Sequence, residues 1–193
     1  YGGHMVKLNK IYTRTGDDST TGLADGSRRP KHDPRIACYG DVDEANAAIG
    51  LARLHTQANT VLDPILQRLQ NDLFDLGADL ATPEDVAFEA LRITPAQVVR
   101  LETEIDDINS RLDPLNSFIL PGGNPAAAHL HLARTIIRRA ERHLSAALGS
   151  SEESFTEAAC HFINRASDLL FVAARFANNL GKDDVLWVPG TNR

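Results

Sequence analysis

The chain has 193 residues, of which 42% are hydrophobic and 24% are charged, and its formal net charge is -6. These values are typical of a single soluble domain with a sizeable core, and they exclude a largely disordered chain. The acidic balance also disfavours a protein that coats nucleic acid or an anionic membrane, so a bound anion would need a local basic cluster.

Targeting signals and the commonest site motifs are absent from the sequence. There is no apolar run of about 20 residues, the length that spans a bilayer, and no secretory leader pattern, so we expect a cytoplasmic protein. Tyr1 to His4 precede Met5 and are interpreted as a cloning remnant. Cys38 and Cys160 form no CxxC pair and are predicted to be free thiols. No HExxH, GxGxxG or Walker A motif occurs, which excludes the common zinc-protease and phosphate-loop sites.

The predicted elements begin with an arm and continue as helices. Residues 5–33 are rich in Thr, Gly, Asp and Ser and show little periodicity, so they are predicted to form an extended or looping arm. From Pro34 onward apolar residues recur at three- and four-residue spacing, the period of an α-helix. The pattern predicts an all-α fold in one domain over 5–193, with a five-helix bundle at 34–180 and a tail at 181–193. The five helices are expected at about 35–55, 63–81, 94–112, 125–148 and 154–180.

Local signals mark the ends of several predicted helices. N-terminal caps are predicted at Asp63 for the second helix, Thr94 for the third and Asn124 for the fourth, and each is followed by proline. Gly149 is expected to end the fourth helix in a left-handed conformation, and Gly181 to close the fifth.

One loop between the third and fourth helices is unusually apolar. It runs from Leu115 to Gly123 and contains Phe118 followed by Ile-Leu-Pro-Gly-Gly. By itself it is interpreted as a loop tucked into the core. In the tail, Val185 to Val188 is the only stretch that resembles a strand, and it is short.

Four arginines lie within nine residues of the fourth predicted helix, at positions 134, 138, 139 and 142. Arg134, Arg138 and Arg142 recur every four residues, so they stack along one face, and Arg139 broadens it. Glu141 offsets only part of this charge. The surplus favours a polyanionic ligand or a carboxylate partner from elsewhere, whereas spacing alone favours a solvated face held by ion pairs.

The fifth predicted helix carries Asn164, Arg165, Asp168 and Arg175 within an apolar run. Asn164 and Asp168 share a face, and Arg165 can reach Asp168 at three-residue spacing. Polar groups in such a run must be paired or must meet a ligand. An interhelical hydrogen-bond network and a binding site both stay open.

The arm carries groups that suit phosphate oxygens. Threonine hydroxyls, an accessible backbone N–H at Gly16 and the charges of Arg14 and Lys31 can together line a phosphate. Asp17 and Asp18 fit there only with a divalent cation between them and the phosphate. A turn-rich terminus is the alternative.

Six motifs follow one another over nearly the whole chain. They are Tyr12-Thr-Arg-Thr-Gly-Asp-Asp-Ser-Thr-Thr-Gly22, Lys31-His-Asp-Pro-Arg35, Tyr39-Gly-Asp-Val-Asp-Glu44 with Asn46, Ser117-Phe-Ile-Leu-Pro-Gly-Gly123, Ala133-Arg-Thr-Ile-Ile-Arg-Arg-Ala-Glu-Arg142 and Ile163-Asn-Arg-Ala-Ser-Asp-Leu-Leu-Phe171. Together they closely resemble the PduO-type ATP:cob(I)alamin adenosyltransferases. The family usually has glycine at the position of Ser19, where a serine is strained if the loop needs positive φ.

The resemblance implies a five-helix bundle assembled as a homotrimer, with active sites at subunit interfaces. It implies transfer of the 5′-deoxyadenosyl group of ATP to the cobalt of cob(I)alamin, which forms adenosylcobalamin and releases triphosphate. Cobalamin is then a substrate, Mg²⁺ accompanies ATP, and K⁺ is a further cation that the resemblance allows. A reductase and a cobalamin-dependent mutase are implied as partners.

The same resemblance assigns roles to individual positions. Phe118 is implied to occupy the lower face of the corrin and displace the axial ligand, which eases reduction to cobalt(I). Asp43 and Arg134 match a carboxylate and an arginine that pair across the subunit interface, and Glu141 matches a residue near Mg²⁺. The implied catalytic residues are Arg138, Phe118 and Asn164. The implied ATP-binding residues are Thr13, Arg14, Thr15, Gly16, Asp17, Ser19, Thr20, Thr21, Lys31, Arg138, Glu141, Arg142 and Asn164.

Two functions of other classes would use the same residues. One is a non-catalytic module that binds ATP or cobalamin as a sensor or carrier. The other is a structural bundle with solvated charges, for which ATP would not raise the melting temperature. The arm, the arginines and Phe118 together favour the enzyme.

Overall fold

The computed structural model describes residues 11–149 and 154–193. The predicted remnant Tyr1–His4 and the first arm residues, 5–10, lie outside these ranges. The described residues form five helices and two short strands, which confirms the predicted all-α bundle. The strands are β1 (Thr20–Gly22) and β2 (Arg28–Pro30), and the helices are α1 (Pro34–Arg53), α2 (Leu62–Leu80), α3 (Pro95–Asn109), α4 (Pro125–Leu148) and α5 (Glu157–Ala177).

Two of the three predicted N-terminal caps are confirmed. Thr94 and Gln97 form a capping box at the start of α3, in which the Gln97 side-chain oxygen accepts from the Thr94 N–H at 2.9 Å. At α4 the Asn124 side chain accepts from the Ala127 N–H at 2.9 Å. Both caps satisfy backbone donors that a helix start leaves unpaired.

The third predicted cap, Asp63, is wrong. Helix α2 begins one residue earlier, at Leu62, and the side chain of Asn59 accepts from the N–H groups of Val61 and Leu62. Asp63 instead accepts from Arg53 of α1 at 2.9 Å. The asparagine satisfies the first helical donors, which leaves the aspartate for an ion pair between helices.

The predicted ends of α4 and α5 also need correction. Gly149 follows α4 with φ of -70°, so it continues the right-handed turn rather than adopting a left-handed one. Thr156 caps α5 by accepting from the Ala159 N–H, so this helix starts at Glu157 instead of near 154. It ends at Ala177, four residues before Gly181, which does have a positive φ of 78°.

The core lies mainly between α1, α4 and α5. Helices α1 and α4 run antiparallel, because Cys38 of α1 donates to the Ala140 carbonyl while the rings of His55 and His129 stack at 5.9 Å further along. Helix α4 packs on α5, α5 on α3, and α1 on α2. Leucine, isoleucine and alanine side chains fill the space between them, and Phe162 of α5 is fully buried.

The arm contains a hairpin that the sequence analysis did not predict. Strands β1 and β2 pair antiparallel with Thr21 opposite Arg29, and the turn between them includes Gly26 at φ of 85°. Buried Leu23 follows β1, and the next residue, Ala24, donates to the carbonyl of Ala81 at the end of α2. The hairpin is thereby held against the bundle.

The tail forms less strand than predicted. Of Val185 to Val188, only Leu186 makes a β-bridge, to Ile119 of the apolar loop. Cys38 and Cys160 are both free thiols, as predicted. Within 11–149 and 154–193, no helix combines the length and the apolarity needed to cross a bilayer.

Candidate active site

The arginines of α4 divide into groups with different surroundings. Arg139 is bound within the chain, because its Nε donates to Asp41 at 3.0 Å and its guanidinium also pairs with Glu44. His143, one turn further on, lies 2.8 Å from the other oxygen of Asp41. For Arg139 the ion-paired alternative is therefore correct, and this residue joins α4 to α1.

Arg138 and Arg142 remain on the exposed face of α4. Arg142 donates to the backbone carbonyl of Arg138 at 2.9 Å, which leaves both guanidinium groups at one surface. Two cations four residues apart repel each other, so an anionic ligand at this surface is favoured.

Arg134 is half-buried and incompletely paired. Its Nε is buried and has no hydrogen-bond partner among the residues that the structure describes. Burial lowers the pKa of its guanidinium, and the neighbouring charge of Arg138 lowers it further. A buried donor without a hydrogen-bond partner costs free energy, so the surroundings of Arg134 are unfavourable as they stand.

A cavity of about 620 Å³ lies beside Arg134. This volume is in the range of small-molecule sites. The lining is mostly apolar and comes from the apolar loop, α4, α5 and the tail: Leu115, Asn116, Ser117, Phe118, Ile119, Pro121, His131, Arg134, Phe171 and Trp187.

Phe118 lies at this cavity and is 77% exposed. The loop is therefore not tucked into the core, which was the interpretation of its apolar sequence taken by itself. The loop backbone pairs with the tail, since Trp187 N–H donates to the Phe118 carbonyl at 2.7 Å, and the phenyl ring stays outside the core. A large exposed apolar side chain beside a cavity is typical of a binding surface.

A polar chain crosses from α4 to α5 and on to α3. Asn164 donates from Nδ2 to Glu141 at 2.8 Å, and its side-chain oxygen accepts from Arg165. Arg165 also forms a salt bridge of 2.9 Å with Glu102, rather than the predicted pair with Asp168. The hydrogen bonds to Glu141 and from Arg165 fix the orientation of the Asn164 amide. The interhelical network, one of the two alternatives for α5, is therefore present and ends at the exposed face of α4. The binding site stays a prediction.

Asp168 lies next to this polar chain and is electrostatically distinct from it. Burial raises the pKa of its carboxyl, the charge of Glu141 raises it further, and Arg165 works against both. A raised carboxyl pKa next to Asn164 is a feature of ligand sites as well as of ion-pair networks.

Arg28 organises the arm and was missed by the sequence analysis. It donates to the Thr15 carbonyl at 2.5 Å and to the Thr20 hydroxyl, which also donates to Asp18 at 2.7 Å. The Thr20 backbone N–H also donates to Asp18, at 2.9 Å, and these two hydrogen bonds from Thr20 are the main reason that the pKa of Asp18 is lowered. Thr20 and Asp18 therefore shape the loop as much as they present groups to a ligand.

Lys31 is brought over the same loop by its backbone. Its N–H donates to the Ser19 carbonyl at 2.9 Å, and a Cβ at Gly16 would lie only 3.2 Å from its Nζ. The ammonium and the accessible backbone at Gly16 therefore converge, as the predicted phosphate grip requires.

Ser19 adopts a left-handed conformation, with φ of 65°. The strain expected for a serine at this position is thus present. Ser19→Gly should remove a backbone cost of about 1–2 kcal/mol, less the entropy that glycine adds to the flexible arm. We expect slower amide exchange in the hairpin and ATP binding about two- to fivefold tighter. Ser19→Ala keeps the strain and is the control, and equal behaviour of the two variants would contradict the expectation.

A magnesium site built from protein alone is not present in the described residues, which contain no group of three or more His, Cys, Asp or Glu suited to a metal. Mg²⁺ at nucleotides commonly takes one or two carboxylates and completes its shell with phosphate oxygens and water. Glu141, half-buried beside the exposed Arg138, fits such a single ligand.

His131, Phe171 and Trp187 line the cavity and were missed as site residues. The ring of His131 meets Phe171 edge-on at 6.3 Å, and its Nδ1 is buried without a hydrogen-bond partner in the described ranges. Burial lowers the pKa of His131. In the sequence, His131 and Phe171 fall within predicted helices and Trp187 within the tail, so only the pairing of loop and tail identifies them as neighbours.

The helical bundle thus brings together a threonine-rich arm, a cationic helix face and an apolar cavity. The family model described as "Cobalamin adenosyltransferase" matches residues 11–177. This chain belongs to that family.

Known relatives match over most of their length. A corrinoid adenosyltransferase of Mycobacterium tuberculosis is 50% identical over 190 residues, covering 97% of both chains. A corrinoid adenosyltransferase of Bacillus subtilis is 41% identical over 172 residues, covering 88% of this chain and 86% of the relative.

Solved structures are similar in fold as well as in sequence. A phenylalanine-to-alanine variant of the PduO-type ATP:corrinoid adenosyltransferase from Lactobacillus reuteri, complexed with cobalamin and ATP, has a TM-score of 0.85 and 40% identity, covering 92% of this chain and 99% of that one. An arginine-to-lysine variant complexed with ATP has a TM-score of 0.82 and 41% identity, covering 93% and 100%.

Proposed function

We propose that this chain transfers the 5′-deoxyadenosyl group of ATP to the cobalt of cob(I)alamin. The observation that carries the proposal is the exposed Phe118 ring beside a cavity lined by Arg134, on the same helix as Arg138. In the reaction the cobalt(I) electron pair attacks C5′, a cobalt–carbon bond forms, and the C5′–O bond breaks. The triphosphate leaves with the electron pair of the broken C5′–O bond.

The reaction requires the protein to align the substrates and to stabilise negative charge, and it does not require a protein nucleophile. Cobalt(I) is itself strongly nucleophilic, so no serine, cysteine or histidine is needed for attack. Arg138 and Arg142 would stabilise the negative charge that grows on the departing triphosphate. Asn164, held between Glu141 and Arg165, would keep the nucleotide aligned for in-line displacement.

The arm would wrap the triphosphate. Lys31 over Gly16, the threonine hydroxyls and the charge of Arg14 supply donors for phosphate oxygens. Mg²⁺, bound to the phosphates and to Glu141, would supply further charge neutralisation. K⁺ remains an expectation from the family resemblance.

Phe118 would act before adenosyl transfer, during reduction of the cobalt. An apolar ring against the lower face of the corrin excludes an axial ligand and so makes cobalt(I) easier to reach. Its high exposure within the chain agrees with a ring that packs on a substrate. The cavity walls formed by Phe171 and Trp187 would continue the same apolar surface.

We also propose a homotrimer with active sites between subunits. Asp43 is exposed beside a groove between α1 and α2, where Phe74 is 71% exposed, whereas Arg134 lines the cavity at α4 and α5. Two charges on different faces of one chain can pair between copies. The half-exposed Arg134 guanidinium would then gain a carboxylate partner, and the Phe74 surface would be covered.

Charge reversal tests this interface. Asp43→Arg and Arg134→Asp should each weaken assembly by about 2–5 kcal/mol, because each leaves like charges facing at the contact, and the double variant should restore it. Analytical ultracentrifugation measures the assembly. Asp106→Arg, on the exposed face of α3, is the control for added charge. Single variants that assemble normally, or a double variant no better than the singles, would contradict the pairing.

Turnover separates the enzyme from the sensor and structural alternatives. With Mg-ATP and chemically reduced cob(I)alamin, we expect many light-sensitive cobalt–carbon products per chain. A sensor or carrier would bind both ligands and give none, and a structural bundle would show no rise in melting temperature with ATP. The free thiols of Cys38 and Cys160 support a cytoplasmic setting, where a reductase would supply electrons and a cobalamin-dependent mutase would use the product.

A further inference from the structure

A buried ion pair between the last turn of α5 and the tail has no part in the proposed chemistry. Arg175 donates from Nε to Asp184 at 2.8 Å, and the two side chains are only 5% and 4% exposed. Burying two charges costs desolvation, so such a pair gives little net stability compared with apolar residues. A role in fixing a particular geometry is one reason to keep it.

The ion pair holds both ends of the apolar loop. Arg175 also donates to the carbonyl of Asp113, just before the loop, at 3.0 Å. Asp184 accepts from Asn178 at 3.0 Å, and Asn178 in turn accepts from the N–H of Asn124, just after the loop, at 3.1 Å. We call Arg175, Asn178 and Asp184 the anchor cluster.

Two glycines let the chain approach the anchor cluster closely. Gly123 has φ of 109°, and a Cβ there would lie 2.5 Å from the side-chain oxygen of Asn178. Gly181 has φ of 78°, and a Cβ there would lie 2.9 Å from Arg175. Both approaches exclude any other residue without a shift, so the local backbone is shaped around the cluster.

The tail that begins at the anchor cluster also supports the loop along its length. The residue after Asp184, Val185, accepts from the Leu120 N–H at 2.8 Å, and Trp187 donates to the Phe118 carbonyl at 2.7 Å. Ser117 donates to the Trp187 carbonyl at 2.9 Å. The Trp187 ring lies 6.1 Å from that of Phe118.

We infer that the anchor cluster positions Phe118 by holding both ends of the apolar loop, and that the tail supports the loop between those ends. The inference rests on the proposed role of Phe118 in cobalt reduction. The loop is held before and after its apolar segment and paired with the tail between those points. On an unsupported loop the exposed ring would sample many orientations, and binding would cost the entropy of fixing one of them. The support from the cluster and the tail orders this loop before binding.

Asp184→Asn tests the inference against a closely matched control, Asp79→Asn. Asp79 is a carboxylate with its side chain 3% exposed and a 2.8 Å pair with Arg92, distant in sequence from the loop. Each substitution removes the charge of one buried aspartate that is paired with an arginine at 2.8 Å. Asn178→Ala and Ser117→Ala break the same support without unpairing a charge, so they carry the test if Asp184→Asn does not fold.

The only tryptophan of the chain provides a readout that needs no substrate. In Asp184→Asn we expect Trp187 emission to shift to longer wavelength and its anisotropy to fall, because the tail is released. With ATP bound, reduction of cob(II)alamin should slow by at least about tenfold, while transfer from prereduced cob(I)alamin stays within about threefold. Asp79→Asn should change none of these beyond a lower melting temperature.

Three results would overturn the inference. Unchanged Trp187 emission in Asp184→Asn would show that the cluster does not hold the tail. Equal losses in both assays, matched by Asp79→Asn, would show a purely structural role. Normal cobalt reduction in Phe118→Ala would show that the ring has no role in reduction. This outcome is distinguishable from the others, because the Trp187 emission of Asp184→Asn would still shift.

Discussion

Phe118→Ala should slow reduction of ATP-bound cob(II)alamin by about a hundredfold, a change of roughly 2.7 kcal/mol in the barrier. Truncation to a methyl group leaves the lower face of the corrin open to an axial ligand, which keeps cobalt(I) hard to reach. Transfer that starts from chemically prereduced cob(I)alamin should change little, because the attack on C5′ occurs on the other face. The two rates are measured side by side on one preparation.

The control for this variant is Phe88→Ala. Phe88 is another exposed phenylalanine, in the linker between α2 and α3 and outside the lining of the cavity. Losing its ring should affect neither rate. Equal losses in both assays for Phe118→Ala would mean that its ring acts in binding or folding rather than in displacing a ligand.

Arg138→Ala should lower adenosyl transfer by about 10²–10³-fold even with prereduced cobalamin, the usual effect of losing one group that stabilises developing charge. The bundle should stay folded, since the side chain is exposed on α4 and alanine favours a helix. Steady-state rates with saturating ATP, together with a circular dichroism melt, measure both effects.

Two further variants refine the Arg138 prediction. Arg138→Lys keeps the charge but loses the planar two-point contact with phosphate, so it should fall between wild type and alanine. Arg111→Ala removes an exposed arginine that pairs with Asp107 and should leave transfer unchanged. Activity near wild type in Arg138→Ala, with an unchanged melt, would reject the assignment.

Helix positions were largely predictable because their signals are local. Apolar spacing identified all five helices, and the caps at Thr94 and Asn124 act within three residues of themselves. Asp63 failed as a cap because two nearby side chains competed for the role, and Asn59 reached the backbone donors. The hairpin of the arm was missed although Asp25-Gly26 is a turn signal, since three-residue strands are too short to show alternation.

Side-chain partners were less predictable because they depend on the neighbouring helix. Spacing placed four arginines on α4 but did not show that Asp41 and Glu44 of α1 would bind Arg139 while leaving Arg138 exposed. The apolar loop was assigned to the core for the same reason, since its pairing with the tail joins residues nearly 70 positions apart. Family resemblance identified Phe118, whereas the anchor cluster required the structure.

Product stoichiometry from prereduced cob(I)alamin and ATP tests the central claim most directly. If cobalt attacks C5′ and the protein supplies only position and charge, each light-sensitive adenosylcobalamin formed should be matched by one inorganic triphosphate. The cobalt product is followed by absorbance before and after illumination, and the phosphates are separated by ion-exchange chromatography. Release of ADP and phosphate without a cobalt–carbon product, or no reaction at all, would contradict the account.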